Sequence, residues 1–321
     1  MNQPAEVPEK PPFRSGYIAV LGPPNVGKSS LVNRLTGKKV SGVSPRPQTT
    51  RRRLLGIRTE ETCQMVFVDT PGYSKSNNML GEMMNRAATA TAGGSDLVLY
   101  LVDAAAPEDG TTLKALLKGL QAPVFLVINK VDIVDKPSLL PMMEKFGAMA
   151  DFKHLVPISA LRSDGTDLLA DLIRECLPPG PKWFEGGNES MDISVIIQEI
   201  VQEKLFSQVR QEVPYGCAVR VETTERSPAL LRIEAVIIAE RESHKGIIIG
   251  KGAQRLKSIG TAARMELEKA LGCHIFLGLR VKVEEDWRNR ESLLTGLGYD
   301  IVSPMVGHGG GTGADDAHTT S

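Results

Sequence analysis

The sequence predicts an α/β domain with a mainly parallel sheet and helices on both faces, followed by a smaller α+β domain. From residue 17, short apolar strands alternate with helical segments, the order that builds such a sheet. A break follows at 178–188, where three prolines and three glycines fall within eleven residues. The chain has 321 residues, and at about 100–200 residues per domain this length also indicates two domains.

The first domain is predicted from short apolar runs and the helical segments between them. Its strands are expected at 17–21, 64–68, 97–102, 124–128 and 155–158. Its helices are expected at 29–35, 79–92, 112–119, 136–149 and 166–176. The last of these helices begins with Thr166 or Asp167 as its cap, followed by apolar residues at helical spacing.

The second domain has a different order of elements. A helix is expected at 193–209, strands at 218–223 and 229–239, a helix at 262–270 and a strand at 275–284. We therefore divide the chain into a disordered lead (1–15), a first domain (16–178), a linker (179–190), a second domain (191–300) and a disordered tail (301–321).

The composition is that of a globular protein without a uniform charge. There are 38 basic and 38 acidic residues, with 41% hydrophobic residues, which excludes a uniformly basic coat for nucleic acid. Aromatic residues make up 5% of the chain, too few for recognition mainly by stacked rings. The four cysteines lie far apart without metal-ligand spacing, and no apolar run approaches the ~20 residues that span a bilayer. We expect a reduced, cytoplasmic protein.

A phosphate-binding loop follows the first predicted strand. The sequence GPPNVGKS fits GxxxxGK[ST] between a strand and a helix, which is the context that motif requires. Lys28 is expected to reach the β- and γ-phosphates, and the Ser29 hydroxyl to coordinate Mg²⁺. The predicted nucleotide contacts in this loop are Gly22, Pro23, Pro24, Asn25, Val26, Gly27, Lys28, Ser29 and Ser30.

Two further segments complete the phosphate end of the predicted site. Asp69-Thr70-Pro71-Gly72 ends a strand, so its carboxylate is expected to hold Mg²⁺ and the Gly72 N–H to bind a γ-phosphate. The polar segment 44–53 has the character of a loop that a γ-phosphate orders. Thr50, or alternatively Thr49, would give Mg²⁺ a second hydroxyl; the other interpretation of the segment is a solvated basic loop. Lys28, Thr50 and Gly72 are thus the predicted catalytic residues.

The base is predicted to be guanine. Asn129-Lys130-Val131-Asp132 follows an apolar strand, and a carboxylate at Asp132 can accept from both N1–H and the exocyclic amine of guanine. Adenine would leave that carboxylate unpaired, which is costly in a buried site. Asn129 is expected at the base edge and the Lys130 stem over one face of the ring. Ser159, Ala160 and Leu161 follow the next strand and can present a backbone N–H to guanine O6.

These motifs resemble the translational GTPase superclass and, more narrowly, the Era family of bacterial ribosome-assembly GTPases. The resemblance covers about residues 14–300 and includes PNVGKSSLVN, QTTR, DTPG, NKVD, ISAL, LPPGPKWF, QEIVQEKLF, EVPYGCAVRVE, IIIGKGAQRLKSIG, WRNR and LLTGLGY. It implies a Ras-like P-loop NTPase domain and a KH domain that binds the 3′ region of small-subunit ribosomal RNA. It further implies hydrolysis of GTP to GDP, assistance to assembly of the 30S subunit, a monomer, and peripheral contact with the cytoplasmic face of the inner membrane.

The KH loop departs from the family's GxxG pattern in its fourth place. The loop reads Gly250-Lys251-Gly252-Ala253, and the resemblance assigns RNA contacts to these four residues together with Arg255 and Lys257. Residues 245–290 contain ten Lys/Arg and five acids, a basic patch of the kind that phosphate backbones favour. The alternatives are an ordinary loop that caps a helix and a merely solvated charged face. We expect Ala253 to reshape the phosphate clamp.

Two positions bear on how hydrolysis would be catalysed. Tyr73 follows the DTPG sequence where small signalling GTPases place a water-orienting glutamine, so slow intrinsic hydrolysis is expected. Asn25 resembles the asparagine that helps related GTPases bind K⁺ beside the phosphates, where K⁺ would offset charge in the transition state. The alternative is a loop asparagine chosen for turn geometry.

The competing function is a GTP-dependent membrane or cell-cycle switch, in which the second domain contacts a protein or a lipid. An ATP-using enzyme is disfavoured by the NKVD sequence, whose carboxylate suits guanine.

Overall fold

The computed structural model describes residues 11–44, 46–73, 76–106, 110–185 and 192–299. Within them the first domain contains a six-stranded sheet in the order β2-β3-β1-β4-β5-β6. Its strands are β1 (Arg14–Leu21), β2 (Leu54–Thr59), β3 (Cys63–Asp69), β4 (Leu97–Asp103), β5 (Val124–Asn129) and β6 (His154–Pro157). All neighbouring pairs are parallel except β2 with β3, which is antiparallel. The predicted mainly parallel sheet is confirmed.

Helices cover both faces of this sheet, as the sequence predicts. They are α1 (Lys28–Thr36), α2 (Met79–Gly93), α3 (Thr111–Leu117), α4 (Leu139–Gly147) and α5 (Thr166–Cys176). Buried residues of α1 and α5 share one apolar cluster with the sheet. Those of α2, α3 and α4 share a second cluster, on the other face. The central strands are therefore buried on both sides, which explains their near-continuous apolar sequences.

The strand β2 was not predicted from the sequence. Its six residues contain Gly56 and Arg58 and follow a run of three arginines, so neither length nor apolar content marks them as a strand. Pairing with β3 builds the strand: Leu54 lies opposite Asp69, and Thr59 lies opposite Gln64. β2 is thus an edge strand defined by its neighbour rather than by its own sequence.

The ends of the first domain also differ from the predicted bounds. β1 begins at Arg14, inside the segment expected to be disordered, and its N–H donates to the Thr62 carbonyl at 3.0 Å. Part of the predicted linker is packed, because Gly180 donates to the Phe13 carbonyl at 3.0 Å and Trp183 stacks on Tyr17 at 4.9 Å. The proline and glycine content of this segment predicts a linker. In the structure, however, the side chains of Trp183 and Phe184 pack against the sheet of the first domain. Residues 186–190 lie outside the described part of the chain.

The second domain packs helices against a three-stranded sheet in the order β7-β8-β9. Its elements are α6 (Ile193–Gln208), β7 (Cys217–Arg226), β8 (Leu231–Ala239), α7 (Glu242–Ile249), α8 (Gln254–Leu271), β9 (Ile275–Val283) and α9 (Glu291–Gly296). β7 and β8 are antiparallel, and β8 and β9 are parallel. The predicted α+β domain is confirmed, and α6 and α8 contribute to the apolar cluster beneath its sheet.

Two helical features of this domain were not predicted. α7 has eight residues and contains Gly246 and three consecutive isoleucines, which show no helical period. α8 begins at Gln254 rather than at 262. Its first two turns were not predicted because they are rich in polar and basic residues and so lack a clear apolar pattern. The loop 250–253 therefore joins two helices.

The two domains share an apolar cluster. Leu80 and Met84 of α2 are buried with Trp287 and Leu294 of the second domain, and the Trp287 indole N–H donates to the Gly216 carbonyl at 3.0 Å. The four cysteines are free. No helix in the described ranges has both the length and the apolar character needed to cross a membrane.

Candidate nucleotide site and nucleic-acid interface

A cavity of about 460 Å³ lies where the carboxyl ends of the parallel strands meet. This edge of an open α/β sheet is where such folds bind ligands. The predicted residues that line the cavity are Pro24, Asn25, Gly27, Lys28, Ser29, Ser30, Thr50, Thr70, Gly72, Asn129, Lys130, Asp132, Ser159, Ala160 and Leu161. Four separate predicted motifs are thus brought to one cavity. Gly22, Pro23, Val26, Asp69 and Pro71 lie behind its wall or beside it and do not line it.

The phosphate-binding loop runs from the end of β1 into the start of α1. Gly27 has a φ of 96°, and a Cβ atom there would lie 2.3 Å from the Asn129 amide nitrogen. Only glycine therefore permits both the backbone turn and the close approach. Because α1 begins directly after Gly27, its N-terminal N–H groups and dipole face the cavity, a suitable environment for phosphate.

Lys28 lies at the base of the cavity with its ammonium held by the loop. It is 6% exposed, and its Nζ donates to the carbonyls of Gly22 at 3.1 Å and Pro23 at 2.8 Å. Burial lowers the pKa of Lys28 to about 8, although the nearby Asp69 opposes this shift. Phosphate oxygens in the cavity would provide further anionic partners for this buried cation.

The three residues predicted to bind Mg²⁺ lie together. The Ser29 hydroxyl donates to Asp69 Oδ2 at 2.7 Å and is 2.8 Å from the Thr50 hydroxyl. Asp69 Oδ1 is buried and has no hydrogen-bond partner among the described residues, and burial raises the pKa of this carboxyl. One carboxylate and two hydroxyls, with room for phosphate and water oxygens, are the donors that Mg²⁺ prefers. The residues present fit this metal.

The alternative of Thr49 is not favoured by the geometry. Its hydroxyl is 2.6 Å from that of Ser44 and donates to the Arg46 carbonyl at 3.0 Å. Thr49 therefore closes a turn within its own segment, while Thr50 faces Ser29.

At the base end, Asn129 joins two loops. Its Nδ2 donates to the Val26 carbonyl at 2.7 Å, and its Oδ1 accepts from the Ala160 N–H at 2.9 Å. The side chain predicted at the base edge thus also fixes the phosphate loop and the 159–161 loop relative to each other. Such a link positions both ends of one nucleotide.

Two charged residues at this end of the site are not evident from the sequence motifs. The Lys130 ammonium pairs with Asp103 at the end of β4, at 2.5 Å. Asp132, with 8% of its side chain exposed, lies 3.5 Å from Arg162. Asp103 could have been found from its place at a strand end, as Asp69 was. Arg162 follows the 159–161 loop and carries no motif of its own.

Tyr73 and Asn25 are positioned differently with respect to the cavity. Tyr73 packs against the apolar cluster under α2 and does not line the cavity, so its ring is placed for packing. Asn25 lines the cavity with a φ of 65°, the left-handed region that asparagine tolerates better than most residues. This conformation agrees with the turn-geometry interpretation of Asn25.

The segment that carries Thr50 also enters the second domain. Arg51, which is 4% exposed, donates to the carbonyls of Cys217 at 2.6 Å, Pro214 at 3.1 Å and Tyr215 at 3.2 Å. Its guanidinium also lies 5.2 Å from the Phe206 ring centroid. The alternative interpretation, a solvated basic loop, does not hold for this part of the segment, because the second domain supplies the arginine with buried acceptors.

The loop between α7 and α8 carries the predicted RNA contacts. Lys251, Arg255 and Lys257 are exposed on it and on the first turn of α8. Arg255 is tied back, since its guanidinium donates to the Ile247 carbonyl at 2.5 Å. Ala253 has a φ of 61°, so it adopts the left-handed conformation that a glycine would adopt. The loop thus keeps a glycine-like path despite the alanine.

The basic patch is more local than the sequence count suggests. Six of its ten cations pair with carboxylates in the described structure, namely Lys245, Arg264, Arg280, Lys282, Arg288 and Arg290. Several of those carboxylates, such as Glu222 and Glu240, lie outside residues 245–290. Among the described residues, no ion pair holds Lys251 or Lys257. The positive charge available to a phosphate backbone is therefore concentrated at the loop.

Comparison with known proteins agrees with this geometry. Residues 17–130 match the family described as 50S ribosome-binding GTPase, and residues 212–288 match the KH domain. The chain is 43% identical to GTPase Era of Ruminiclostridium cellulolyticum over 291 residues, covering 89% of this chain and 98% of that protein. It is 44% identical to GTPase Era of Geobacter metallireducens over 293 residues, covering 90% of this chain and 98% of that protein.

Two solved structures match along most of the chain. One is Era in complex with MgGDPNP and nucleotides 1506–1542 of 16S ribosomal RNA, with 38% identity, a TM-score of 0.86, and coverage of 90% of this chain and 99% of that one. The other is a variant of Aquifex aeolicus Era bound to GDP·AlF4⁻, with 38% identity, a TM-score of 0.85, and coverage of 90% and 100% respectively. The similarity spans both domains.

Proposed function

Since the chain belongs to the Era family of GTPases, we propose that it is a GTP-hydrolysing switch that assists maturation of the 30S subunit. Its KH domain would bind the 3′ region of small-subunit ribosomal RNA. The solved relative that holds a 16S ribosomal RNA segment, with which this chain shares both domains, supports this proposal.

In the nucleotide site, hydrolysis would depend on positioning and on charge. Ser29, Thr50 and Asp69 would hold Mg²⁺, which neutralises negative charge on the phosphates. Lys28 would bind the phosphate oxygens, and the Gly72 N–H would face the γ-phosphate. Asp132 would select guanine by accepting from two donors that adenine lacks. No protein nucleophile is needed for attack by water.

Potassium is a second proposed cofactor, with Asn25 beside it. Support for this proposal is that the asparagine lines the cavity, where its side-chain oxygen would contact an ion near the phosphates. Equal hydrolysis rates in K⁺ and Na⁺ at matched ionic strength would eliminate this part of the proposal.

The main support for a switch is that one segment contacts both the nucleotide site and the second domain. Thr50 contacts Ser29 in the nucleotide site, and the adjacent Arg51 is anchored on three carbonyls of the second domain. A change in the position of Thr50 when the γ-phosphate is lost would therefore act on the KH domain through one peptide bond. Coupling of this kind requires a segment with different contacts in the two states.

The test measures binding of the full-length protein to an RNA fragment equivalent to nucleotides 1506–1542, with GDPNP or GDP. We expect tighter binding with GDPNP. Replacing Lys251 and Lys257 with alanine should weaken binding about tenfold or more and lower the salt slope by about 1 for each lost phosphate contact. Lys114 and Lys118, both exposed on or next to α3, provide a matched control pair whose replacement should change neither quantity.

Two outcomes would contradict the proposal. One is RNA affinity that is equal with both nucleotides, and the other is equal loss in the two lysine pairs. A further arm measures binding to anionic lipid vesicles. GTP-dependent vesicle binding without RNA binding would instead support the membrane switch, and with it a peripheral rather than purely cytoplasmic location.

A further inference from the structure

We propose that Glu203, on α6 of the second domain, is a positioning residue for the nucleotide site that slows the release of guanine nucleotide. It would act by holding the backbone of Val43 against the nucleotide cavity. This role goes beyond the proposed function, because it concerns how firmly the nucleotide is retained and requires no RNA.

The central contact is a hydrogen bond between the domains. The Val43 N–H donates to Glu203 Oε2 at 2.9 Å. Gly42, Val43 and Ser44 line the nucleotide cavity together with Thr49 and Thr50. A carboxylate of the second domain therefore fixes part of the cavity wall from behind, without itself lining the cavity.

The backbone of α6 is also in close contact with this wall. A Cβ atom added to Gly42 would lie 3.0 Å from the Glu199 carbonyl oxygen and 3.3 Å from Glu203 Cβ. The glycine thus allows the loop to pass against the helix, and an added Cβ atom would have to displace these neighbours by a few tenths of an ångström. The Val43 hydrogen bond is formed one residue after this close contact.

Ion pairs hold the Glu203 carboxylate in place. Glu203 is 7% exposed, and its two oxygens pair with Lys39 and Lys204, which both also pair with Glu266 of α8. A buried carboxylate needs such partners to remain charged. The lysines compensate the charge, so Glu203 Oε2 remains a strong acceptor for the Val43 N–H.

The arrangement makes nucleotide retention depend on the position of α6. If α6 moves away, the Val43 N–H loses its acceptor and residues 42–44 are no longer held at the cavity. Because coupling between two binding events is reciprocal, nucleotide in the cavity also favours the docked position of α6.

The experiment measures dissociation of methylanthraniloyl-GDP from the full-length protein without RNA. Glu203→Ala should release the nucleotide about tenfold faster, the change expected for losing a hydrogen bond to a charged group. Glu203→Gln keeps a side-chain oxygen that can accept from Val43 and should stay within about threefold of the wild type. Glu266→Ala removes a partner of the same two lysines without contact to Val43, and should stay within about twofold.

A steady-state measurement separates positioning from catalysis. Glu203→Ala should raise the KM for GTP and leave kcat nearly unchanged, since no atom of Glu203 is expected to contact the reacting phosphate. If Glu203→Ala does not fold, Gly42→Ala provides a second variant that separates the loop from α6 with every ion pair retained, and it should also accelerate release.

Release from folded Glu203→Ala within about twofold of the wild type would overturn the proposal. So would equal acceleration in Glu266→Ala, which would assign the effect to general loss of ion pairs, or normal release from Gly42→Ala where that variant is used. None of these results depends on RNA, so a failure here leaves ribosomal RNA binding intact, and the reverse also holds.

Discussion

Selection of the base depends on one carboxylate. Asp132 is largely buried at the base end of the cavity and has Arg162 at 3.5 Å. Replacing it with asparagine exchanges an acceptor for a donor at the guanine N1–H, so GTP affinity should fall about 100-fold or more and affinity for xanthosine triphosphate should rise. Competition binding with both nucleotides measures this change. The exposed Asp135 provides the control, and unchanged preference in Asp132→Asn would contradict guanine recognition by this residue.

The alanine of the KH loop has a cost in stability. At a φ of 61° and a ψ of 17°, Ala253 adopts a conformation that costs an L-residue about 1–2 kcal/mol. Ala253→Gly should raise the free energy of unfolding by about 0.5–1 kcal/mol, because glycine relieves this strain but makes the unfolded chain more flexible. Ala262→Gly, inside α8, should lower it by about 1 kcal/mol. Urea unfolding followed by circular dichroism checks both signs, and destabilisation by Ala253→Gly would show that the loop is not strained.

Individual site residues could be predicted where a motif fixes their chemistry. Ser29 and Asp69 belong to motifs with a fixed position at strand ends, and the structure places them in contact. Thr50 was preferred to Thr49 from the sequence, although both lie in a segment without periodicity, and its contact with Ser29 agrees with that preference. Asp103 and Arg51 were missed for a related reason: their partners lie far away in sequence, and only the fold brings them together.

Secondary structure was predictable where an element has a pattern of its own. β4 and β5 are buried on both faces and therefore consist of apolar runs. β2 and α7 were missed because each depends on tertiary contacts, β2 on pairing with β3 and α7 on packing beside β9. The same explanation holds for residues 178–184, whose aromatic side chains pack on the first domain.

α6 contains a buried acid that should make stability depend on pH. Burial raises the pKa of Glu199 to about 7, although Arg52, Arg51 and the Gly42 backbone favour its charged form; Asp69 acts in the same direction as burial. The ordinary value is 4.5, so between these two values the folded state binds a proton that the unfolded state lacks. The free energy of unfolding therefore falls as the pH rises from 4.5 through 7, in total by about 3 kcal/mol from this group.

Glu199→Gln tests this pH dependence. The neutral amide cannot lose a proton, so the free energy of unfolding of the variant should not show this part of the fall with pH. It should exceed the free energy of unfolding of the wild type most clearly at pH 8. Urea unfolding at pH 5 and pH 8 measures the difference for each protein. The exposed Glu225 provides the control substitution, and an unchanged pH dependence in Glu199→Gln would show that Glu199 is already ionised at low pH.

Over the whole chain, the charges of 38 basic and 38 acidic residues sum to zero, but these charges are not evenly distributed. Ion pairs neutralise most of the second domain's basic residues, so Lys251 and Lys257 stand out at the loop between α7 and α8. A second group of basic residues, including Arg46, Arg51 and Arg52, is used between the domains, on acceptors of the second domain. One group is thus available to RNA, while the other connects the KH domain to the nucleotide site.

Replacement of Arg51 should separate nucleotide binding from the effect of the nucleotide on RNA binding. Arg51→Ala removes three hydrogen bonds to the second domain but retains the contact between Thr50 and Ser29. Nucleotide affinity should therefore change by less than about threefold, whereas the ratio of RNA affinities with GDPNP and GDP should approach one. Coupling between sites typically amounts to about 5–150-fold, so its loss is measurable by titration with labelled RNA.

The control for Arg51 is Arg86→Ala, on α2. Arg86 is exposed and pairs with Glu82 of the same helix. Its replacement should leave the ratio of RNA affinities with GDPNP and GDP as in the wild type. An unchanged ratio in Arg51→Ala would mean that the nucleotide acts on the KH domain by another route. The apolar contact of α2 with Trp287 and Leu294 provides that route, since α2 follows the segment that contains Gly72. Met84→Ala would then be the variant in which the ratio of RNA affinities with GDPNP and GDP approaches one. Coupling must pass through an element that changes its contacts between the two states.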